Sequence, residues 1–389
     1  MDDITLKGHQ PQKRTLFKSD REWVYRIPSL FYDSDKKIFM AFAEQRETVD
    51  DSSTKHLVLK TGTLKGESTG VRTIEWSELK VVEEAHLDGH RPMNPCPVYE
   101  KTSKTLFLFF ICVEDGVSES DQISSGCNKA RLCYITTEDG GQTWSGVTDL
   151  SDLPDIKRWA TFAVGPGHGL QTESGRLIIP TYAYASPFTS ICCISCFCAV
   201  PHALALCSND KGSSWHFSKL IETKSLECEM AEVSDDHVYC NARSEGGYRV
   251  EAIDTGAGFK TLPSAKKLVE TGGGCQGSVV SFPALSEGAT ADSSQNKWLL
   301  YTHPSDQSNR INLGVYLNKS PQDPNAWSKP WIINSGPSGY SDLAYIEDGW
   351  FACLMECGAQ KYTEQIACEV FHYSQVEKVC RVSKCCYLM

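Results

Sequence analysis

A chain of 389 residues, 41% hydrophobic and 22% charged, has the composition of a soluble globular protein and the length for one large all-β domain or several smaller ones. Its 38 Lys and Arg against 49 Asp and Glu give a net charge of −11, which excludes nucleic acid as a general partner. Any anion site must therefore rest on a local cluster of arginines rather than on the overall field.

Residues 1–20 form a polar segment with no apolar stretch of the kind a secretory signal needs, so the chain is expected to stay in the cytosol. There its 18 cysteines would be reduced, and since none follows the paired spacing of a zinc site, most read as small buried hydrophobes. No metal or other cofactor is expected. Next comes Tyr25-Arg26-Ile27-Pro28, where an arginine is held in a strand-like setting. A rigid guanidinium fork matches a carboxylate through two parallel hydrogen bonds, although a lone Arg beside a Pro is more often an ordinary solvated surface residue.

From there onward short strand signals dominate and helical periodicity is almost absent. Leu106–Val113, Leu177–Ile179, Trp298–Thr302 and Trp331–Ile333 read as strands, and clusters such as Gly272-Gly273-Gly274 as turns. The stretch from Leu177 to Asn209 has no charged residue. Pro180, Pro187 and Pro201 interrupt it, and its apolar part, Phe188 to Val200, is 13 residues long. A membrane helix needs roughly 20, so strand, loop, strand is expected. Its loop Cys192–Cys198 reads as a packed hairpin, with acylation or membrane contact as the alternative. The polar insertion Pro283–Asn296 and the tail after Val376 are the expected weak points. No linker divides the middle, so a single domain is expected over residues 21–376, followed by a tail at 377–389.

One segment repeats. Thr137, Asp139, Gly141, Thr143 and Trp144 recur at the same offsets as Ser208, Asp210, Gly212, Ser214 and Trp215. A worn copy keeps Asp254, Gly256 and the aromatic Phe259, while the hydroxyl positions have become Ala252 and Gly258. The chemistry suits a tight hairpin: Asp accepts from the turn's own amides, Gly permits positive φ, and the aromatic ring buries against strands. Intervals of 71 and 44 residues fit β-sheet blades of about 40 to 45 residues, one of them enlarged by an insertion. The arrangement is a β-propeller, which gathers sequence-distant residues at one central mouth.

The Tyr-Arg-Ile-Pro stretch together with S/T-x-D-x-G-x-T/S-W turns resembles the sialidase family, from about Tyr25 to Val370. The resemblance implies an all-β, six-bladed β-propeller with Asp-box hairpin turns. Leu108–Val113, Arg158–Gly169 and Gly339–Leu343 make the chain most similar to the vertebrate cytosolic and membrane-associated sialidases, and among these to the plasma-membrane ganglioside sialidase.

Sialic acid carries a carboxylate on its anomeric carbon, so a site must bind that anion and stabilise an oxocarbenium-like transition state. The resemblance implies Arg26, Arg243 and Arg310 for the first task. These lie 217 and 67 residues apart and can meet only in a closed architecture. A carboxylate nucleophile would be repelled by the substrate, and sialidases use a tyrosine instead; Tyr340 matches it. A phenol needs a neighbouring base, for which Glu227 matches and Glu229 competes. Asp51 matches the acid/base by register, with Asp50 as the alternative. If Asp51 must carry a proton for the first step, activity should peak on the acid side of neutral. Glu356 resembles the acid that orients the first arginine. Arg46, Asn94, Glu119, Tyr182 and Tyr184 match positions that contact the sugar's hydroxyl, N-acetyl and glycerol groups. For Tyr182 and Tyr184 alternate burial along one strand explains the pattern equally well.

The implied activity is that of a retaining exo-α-sialidase acting on gangliosides, sialoglycoproteins or oligosaccharides. The terminal Cys386-Tyr387-Leu388-Met389 has the C-a-a-X form of a prenylation signal. One prenyl chain binds membrane weakly, so Cys385 or the Cys192–Cys198 loop would have to supply a second anchor. A non-catalytic sialic-acid-binding propeller needs the arginines but not Asp51, Glu227 and Tyr340, and trans-sialidase activity is a further alternative.

Overall fold

The computed structural model describes residues 13–66, 72–185, 199–284 and 297–385. Almost all of the regular structure is antiparallel strand, arranged as a propeller of meander sheets. The first sheet holds Val24–Asp33, Ile38–Arg46, Thr54–Gly66 and Arg72–Trp76, and the second His90–Glu100, Thr105–Glu114, Ala130–Thr137 and Thr148–Asp149. The third runs from Trp159–Val164 through Leu177–Ala185 and Val200–Ser208 to His216–Phe217. The fourth holds Cys228–Ser234, His237–Ala242, Val250–Asp254 and Phe259–Thr261. A seven-stranded sheet completes the ring: Ser278–Pro283, Lys297–Pro304, Ile311–Asn318, Trp331–Tyr345, Trp350–Cys357, Gln365–His372 and Arg14–Lys18. That last strand comes from the segment 1–20 read as a polar N-terminal segment outside the domain, and it brings the first described strand onto the last by pairing Arg14 with Cys368 and Lys18 with Gln365.

The apolar runs are explained by burial on both faces. Phe107, Phe109, Ile111 and Val113 point into one cluster with Trp159, Phe162 and Trp215 of the third sheet. Leu106, Leu108, Phe110 and Cys112, the alternate residues, point into another with Met40, Phe42, Leu57 and Leu59 of the first. Each sheet is thus sandwiched between two neighbours.

The repeated turns lock these sandwiches. Asp139 accepts from the amides of Gln142 and Thr143 and from the Thr143 hydroxyl at 2.6 Å, while the Thr137 hydroxyl accepts from the Gly141 amide at 3.0 Å. The Thr143 hydroxyl is the main cause holding the Asp139 carboxyl below its ordinary range. Gly141 has φ +82°, and a Cβ there would lie 2.7 Å from Met40 of the neighbouring sheet. In the second copy the Trp215 ring sits 4.8 Å from Phe109. The worn copy still closes its turn through Asp254, which accepts from Gly256 and Gly258 at 2.9 Å each, without a hydroxyl.

Leu177–Ala185 and Val200–Ser208 are strands as expected, and the Cys192–Cys198 loop between them lies outside the described residues, as does residue range 285–296. Among the described residues the free cysteines are all buried except Cys127, in keeping with their reading as small hydrophobes. Two segments that were not read as helices from the sequence are helical. Glu119–Ser125 is a helix of about two turns, held by a capping box of Ser118 with Asp121. Ser374–Cys385 follows the final strand and runs into the segment expected as a tail at 377–389. Cys386 lies outside the described residues, and so does the Cys385 side chain. No described helix is long and apolar enough to cross a membrane.

Candidate active site

Arg26 lies on the innermost strand of the first sheet, where pairing shifts register between Arg26 and Ser29. Ile27 takes φ 60°, a conformation that costs a β-branched residue about 1–3 kcal/mol. The bulge aims the Ile27 amide at Glu356, whose Oε1 accepts from it at 2.9 Å and from Arg26 Nε at 2.6 Å. Its Oε2 accepts from the Tyr340 amide at 3.1 Å. One carboxylate therefore ties the first arginine to the backbone of the tyrosine. Gly339 lets it approach, since a Cβ there would lie 2.2 Å from Glu356 Oε2. Burial opposes the charge on Arg26, yet Glu356 holds its pKa above the ordinary guanidinium value. Removing Glu356 strands that buried cation: Glu356→Ala is expected to cost about 3–5 kcal/mol of stability and to raise KM, whereas Glu356→Gln keeps part of the bonding. Thermal unfolding with steady-state kinetics checks this, and an unchanged KM in a folded Ala variant would exclude the orienting role.

Tyr340 is the hub of the cluster. Its hydroxyl donates to Glu227 Oε1 at 2.5 Å and accepts from Arg243 Nη1 at 3.2 Å, and Arg243 also reaches Glu227 Oε2 at 2.8 Å. The guanidinium carbons of Arg26 and Arg310 lie 5.6 and 5.3 Å from the Tyr340 ring centre. Burial first, then Glu227, pushes the Tyr340 phenol well above its ordinary range, against the pull of Arg243 and Arg310. The resting phenol is neutral and has a base in contact.

Arg243 and Arg310 are anchored by the carbonyls of Gly273 and Gly274, at 2.8 Å each. That glycine turn is held from beneath by Glu270, which accepts from the Ser244, Thr271 and Cys275 amides and from Arg249 Nη1 at 2.7 Å. Tyr362 adds a second ring beside Arg26 and Arg310, at 5.3 and 5.5 Å.

A second network carries the acid candidates. Arg46 is fully buried; Nε bonds Glu44 Oε2 at 2.8 Å and Nη1 bonds Asp51 Oδ1 at 2.5 Å. Asp50 is committed elsewhere: it caps the short 3-10 turn Asp51–Ser53 by accepting from the Ser52 amide and hydroxyl, which lower its pKa. The Asp51 side chain is 72% exposed and tethered only at one oxygen, so it is free to meet a ligand. Glu44 also accepts from the Asn94 amide at 2.7 Å. Asn94 sits at a bulge with φ 57°, and its side-chain amide is occupied by the Val164 carbonyl at 3.1 Å.

Glu119 opens the capped helix, and its Oε1 accepts from Tyr182 OH at 2.9 Å. Its carboxyl is open to water yet ringed by protein, which raises its pKa, as do Glu227 and Asp51. Tyr182 is both core and wall, buried among Phe162 and Leu204 with its hydroxyl on Glu119. Tyr184 is half-buried, 6.3 Å from Tyr182 ring to ring.

Sequence reasoning thus named the members of three touching groups, and it missed Glu44, Glu270, Arg249 and Tyr362. Glu44 had a signal, being two residues from Arg46 on one strand face. Glu270, Arg249 and Tyr362 had none, because each acts on residues distant in sequence. Among the described residues one set brings ligand-type atoms within 4.8 Å of one another: His168, Glu229 and Asp342. All four carboxylate oxygens already accept from Ser278 or backbone amides, so it is a hydrogen-bonded cluster of the core.

Residues 38–353 match the BNR repeat-like domain family. Sialidase-3 of Bos taurus is 44% identical over 385 residues, 89% of this chain and 89% of its own length. Sialidase-3 of Homo sapiens is 43% identical over 396 residues, 92% of this chain and 91% of its own. Sialidase-2 of Cricetulus griseus is 43% identical over 362 residues, 89% and 92% of the two chains. Among solved structures, the Hadza microbial sialidase Hz136 superposes with a TM-score of 0.72 at 18% identity, over 90% of this chain and 66% of that one. Trypanosoma rangeli sialidase does so with 0.70 at 15%, over 97% and 62%. Along most of its length, then, the chain belongs to the sialidase family, the exo-α-sialidases among the glycoside hydrolases.

Proposed function

We propose that this protein is a retaining exo-α-sialidase that releases terminal sialic acid from glycoconjugates, gangliosides first among them, through a tyrosyl intermediate. The observation that carries the reading is the 2.5 Å contact of the Tyr340 hydroxyl with Glu227 Oε1, placed among three arginines. In the first step Arg26, Arg243 and Arg310 hold the substrate carboxylate, and Glu227 takes the phenolic proton as Tyr340 oxygen bonds to the anomeric carbon. The glycosidic bond breaks, and Asp51 gives its proton to the leaving oxygen. In the second step Asp51 takes a proton from water, which displaces Tyr340, and Glu227 returns the phenolic proton. Two inversions at one carbon retain configuration. Glu119, Tyr182, Tyr184, Arg46 and Asn94 border the rest of the sugar.

Six blades follow if the seven-stranded sheet counts as two. The 15-residue strand Trp331–Tyr345 pairs with Ile311–Asn318 through its first half and with Trp350–Cys357 through its second. The register shift between Ser338 and Ser341, an interval that contains Tyr340, marks the hand-over between blades. Membrane association is supported by the resemblance and by the Cys386-Tyr387-Leu388-Met389 terminus, which directly follows the helix Ser374–Cys385.

The test is sialic acid release from ganglioside vesicles and from a soluble sialoglycoprotein, with product stereochemistry followed by NMR. Faster release from vesicles with an α-configured first product is expected. Equal turnover of both substrates would remove the lipid preference but leave the enzyme, transfer to an added acceptor in place of water would make it a trans-sialidase, and binding without release would make it a lectin.

A further inference from the structure

Two residues beyond Glu227 and Tyr340 stands a second pair of acids, Glu229 in the strand Cys228–Ser234 that begins just after Glu227, and Asp342 in the strand Trp331–Tyr345 that carries Tyr340. Both are fully buried. Between them stands Ser278, whose hydroxyl lies 2.9 Å from Glu229 Oε2 and 2.8 Å from Asp342 Oδ1 while accepting from the Leu343 amide at 3.0 Å. A hydroxyl has one proton to give. It can satisfy one carboxylate, so the other contact is a hydrogen bond only if that carboxyl carries a proton of its own. His168 Nδ1 lies 2.7 Å from Asp342 Oδ1 and 3.5 Å from Glu229 Oε2, with its side chain 15% exposed, so it is the cluster's link to water.

The remaining donors come from the surrounding elements. Asp342 Oδ2 accepts from the Leu30 amide at 2.7 Å, Glu229 Oε1 from the His168 amide at 3.2 Å and Glu229 Oε2 from the Val279 amide at 3.1 Å. The cluster therefore joins the inner strands Val24–Asp33, Cys228–Ser234, Ser278–Pro283 and Trp331–Tyr345 to the loop after Trp159–Val164. The loop sits directly on the carboxyl: a Cβ at Gly167 would lie 1.5 Å from Glu229 Oε1. The titratable groups that face it are His168 from this loop, the Cys96 and Cys228 thiols, and Cys353 on the side of Asp342. Among the described residues neither acid is ion-paired with a lysine or arginine.

We propose that Glu229, Asp342 and His168 form a buried proton-holding layer directly beneath Glu227 and Tyr340, which positions that catalytic pair and sets the alkaline limit of activity. The proposal rests on the assignment of Glu227 as base and Tyr340 as nucleophile, and Glu229 and Asp342 are positioning residues that touch no reacting atom. With its proton the layer is a closed set of hydrogen bonds. Without it, two carboxylates face each other in a buried core across the Ser278 hydroxyl, and the strands that hold the 2.5 Å contact are pushed apart.

Burial and the neighbouring Asp342 push the Glu229 carboxyl well above its ordinary range. A group protonated when folded and ionised when unfolded makes folding take up a proton. Stability is then greatest below the ordinary carboxylate range and falls as pH rises through it, until the folded carboxyl itself ionises.

Glu229→Gln keeps a donor and an acceptor at this position but cannot ionise. The variant and wild type are compared by Tm and by kcat from about pH 5 to 9, using an activated aryl sialoside whose leaving group needs no proton from Asp51. Expected are a flatter fall of Tm with pH, a kcat at the acidic optimum reduced no more than about tenfold, and an alkaline limb moved up by about one pH unit or more. Should Glu229→Gln fail to fold, Asp342→Asn serves the same comparison. Alkaline limbs and Tm slopes that superimpose on wild type would overturn the proposal while leaving the catalytic assignment intact. Turnover retained by Tyr340→Phe would remove the catalytic assignment, and this proposal with it.

Discussion

Tyr340→Phe is expected to lower kcat/KM by about 10³-fold or more, with thermal unfolding close to wild type. The change deletes one oxygen from a buried ring whose surroundings stay satisfied, because Arg243 and Glu227 retain their direct 2.8 Å contact. Substrate binding should survive, since the three arginines are untouched: Arg26 remains tied to Glu356, and Arg243 and Arg310 to the glycine turn. The loss should appear in kcat, with a KM or an inhibitor affinity near wild type. A denatured wild-type sample quenched during turnover should carry sialic acid on the Tyr340 peptide by mass spectrometry, and the variant should not. Turnover within tenfold of wild type would mean that Glu227 or water attacks directly, and the tyrosyl intermediate would be abandoned.

Asp51→Asn should cost about 10²–10⁴-fold on a ganglioside or sialyl-oligosaccharide, whose leaving oxygen is a poor one without a proton. The loss should depend on the leaving group. An aryl sialoside departs unaided, so its first step is spared while the second still lacks a base for water. The expected signature is a burst of about one aryl group per enzyme followed by slow turnover, as the Tyr340 adduct accumulates. Asp50→Asn is the control. Its carboxylate holds the Ser52 amide and hydroxyl, and its loss loosens the Asp51–Ser53 turn without removing a proton donor. A leaving-group-independent loss in Asp51→Asn, or an equal defect in Asp50→Asn, would count against Asp51 as the acid.

How much of this was legible beforehand follows from the range of each interaction. The Asp139 and Asp210 turns are local: acceptor, amides, glycine and ring lie within eight residues, so their pattern in the sequence already states their geometry. Strand alternation is equally local, and it explains why Leu106–Val113 reads as one continuous apolar run when its two faces serve two different clusters. The helix Glu119–Ser125 escaped notice because about two turns of chain are too short to show a period.

Choices between neighbours needed the fold. Asp50 and Asp51 are adjacent and chemically alike, and the difference is that Arg46 reaches one while a 3-10 turn consumes the other. Glu227 and Glu229 are two residues apart, yet only Glu227 meets the Tyr340 hydroxyl, while Glu229 is fully buried against Ser278. Glu270 and Tyr362 could not be named at all. Glu270 acts through backbone amides at Ser244 and Cys275, and Tyr362 through rings and cations that come from the first and fifth sheets.

The amino-acid sequence by itself determined the blade turns, the strand alternation and, through its likeness to a family, which side chains are able to bind and cleave a sialoside. The tertiary structure alone decided which of two adjacent acids faces outward, which glutamate meets the phenol and what holds each arginine in place. The reason is physical: hydrogen bonds act over about 3 Å, whereas Arg26, Glu227 and Tyr340 are brought within that range of shared partners only when the inner strands close into a ring.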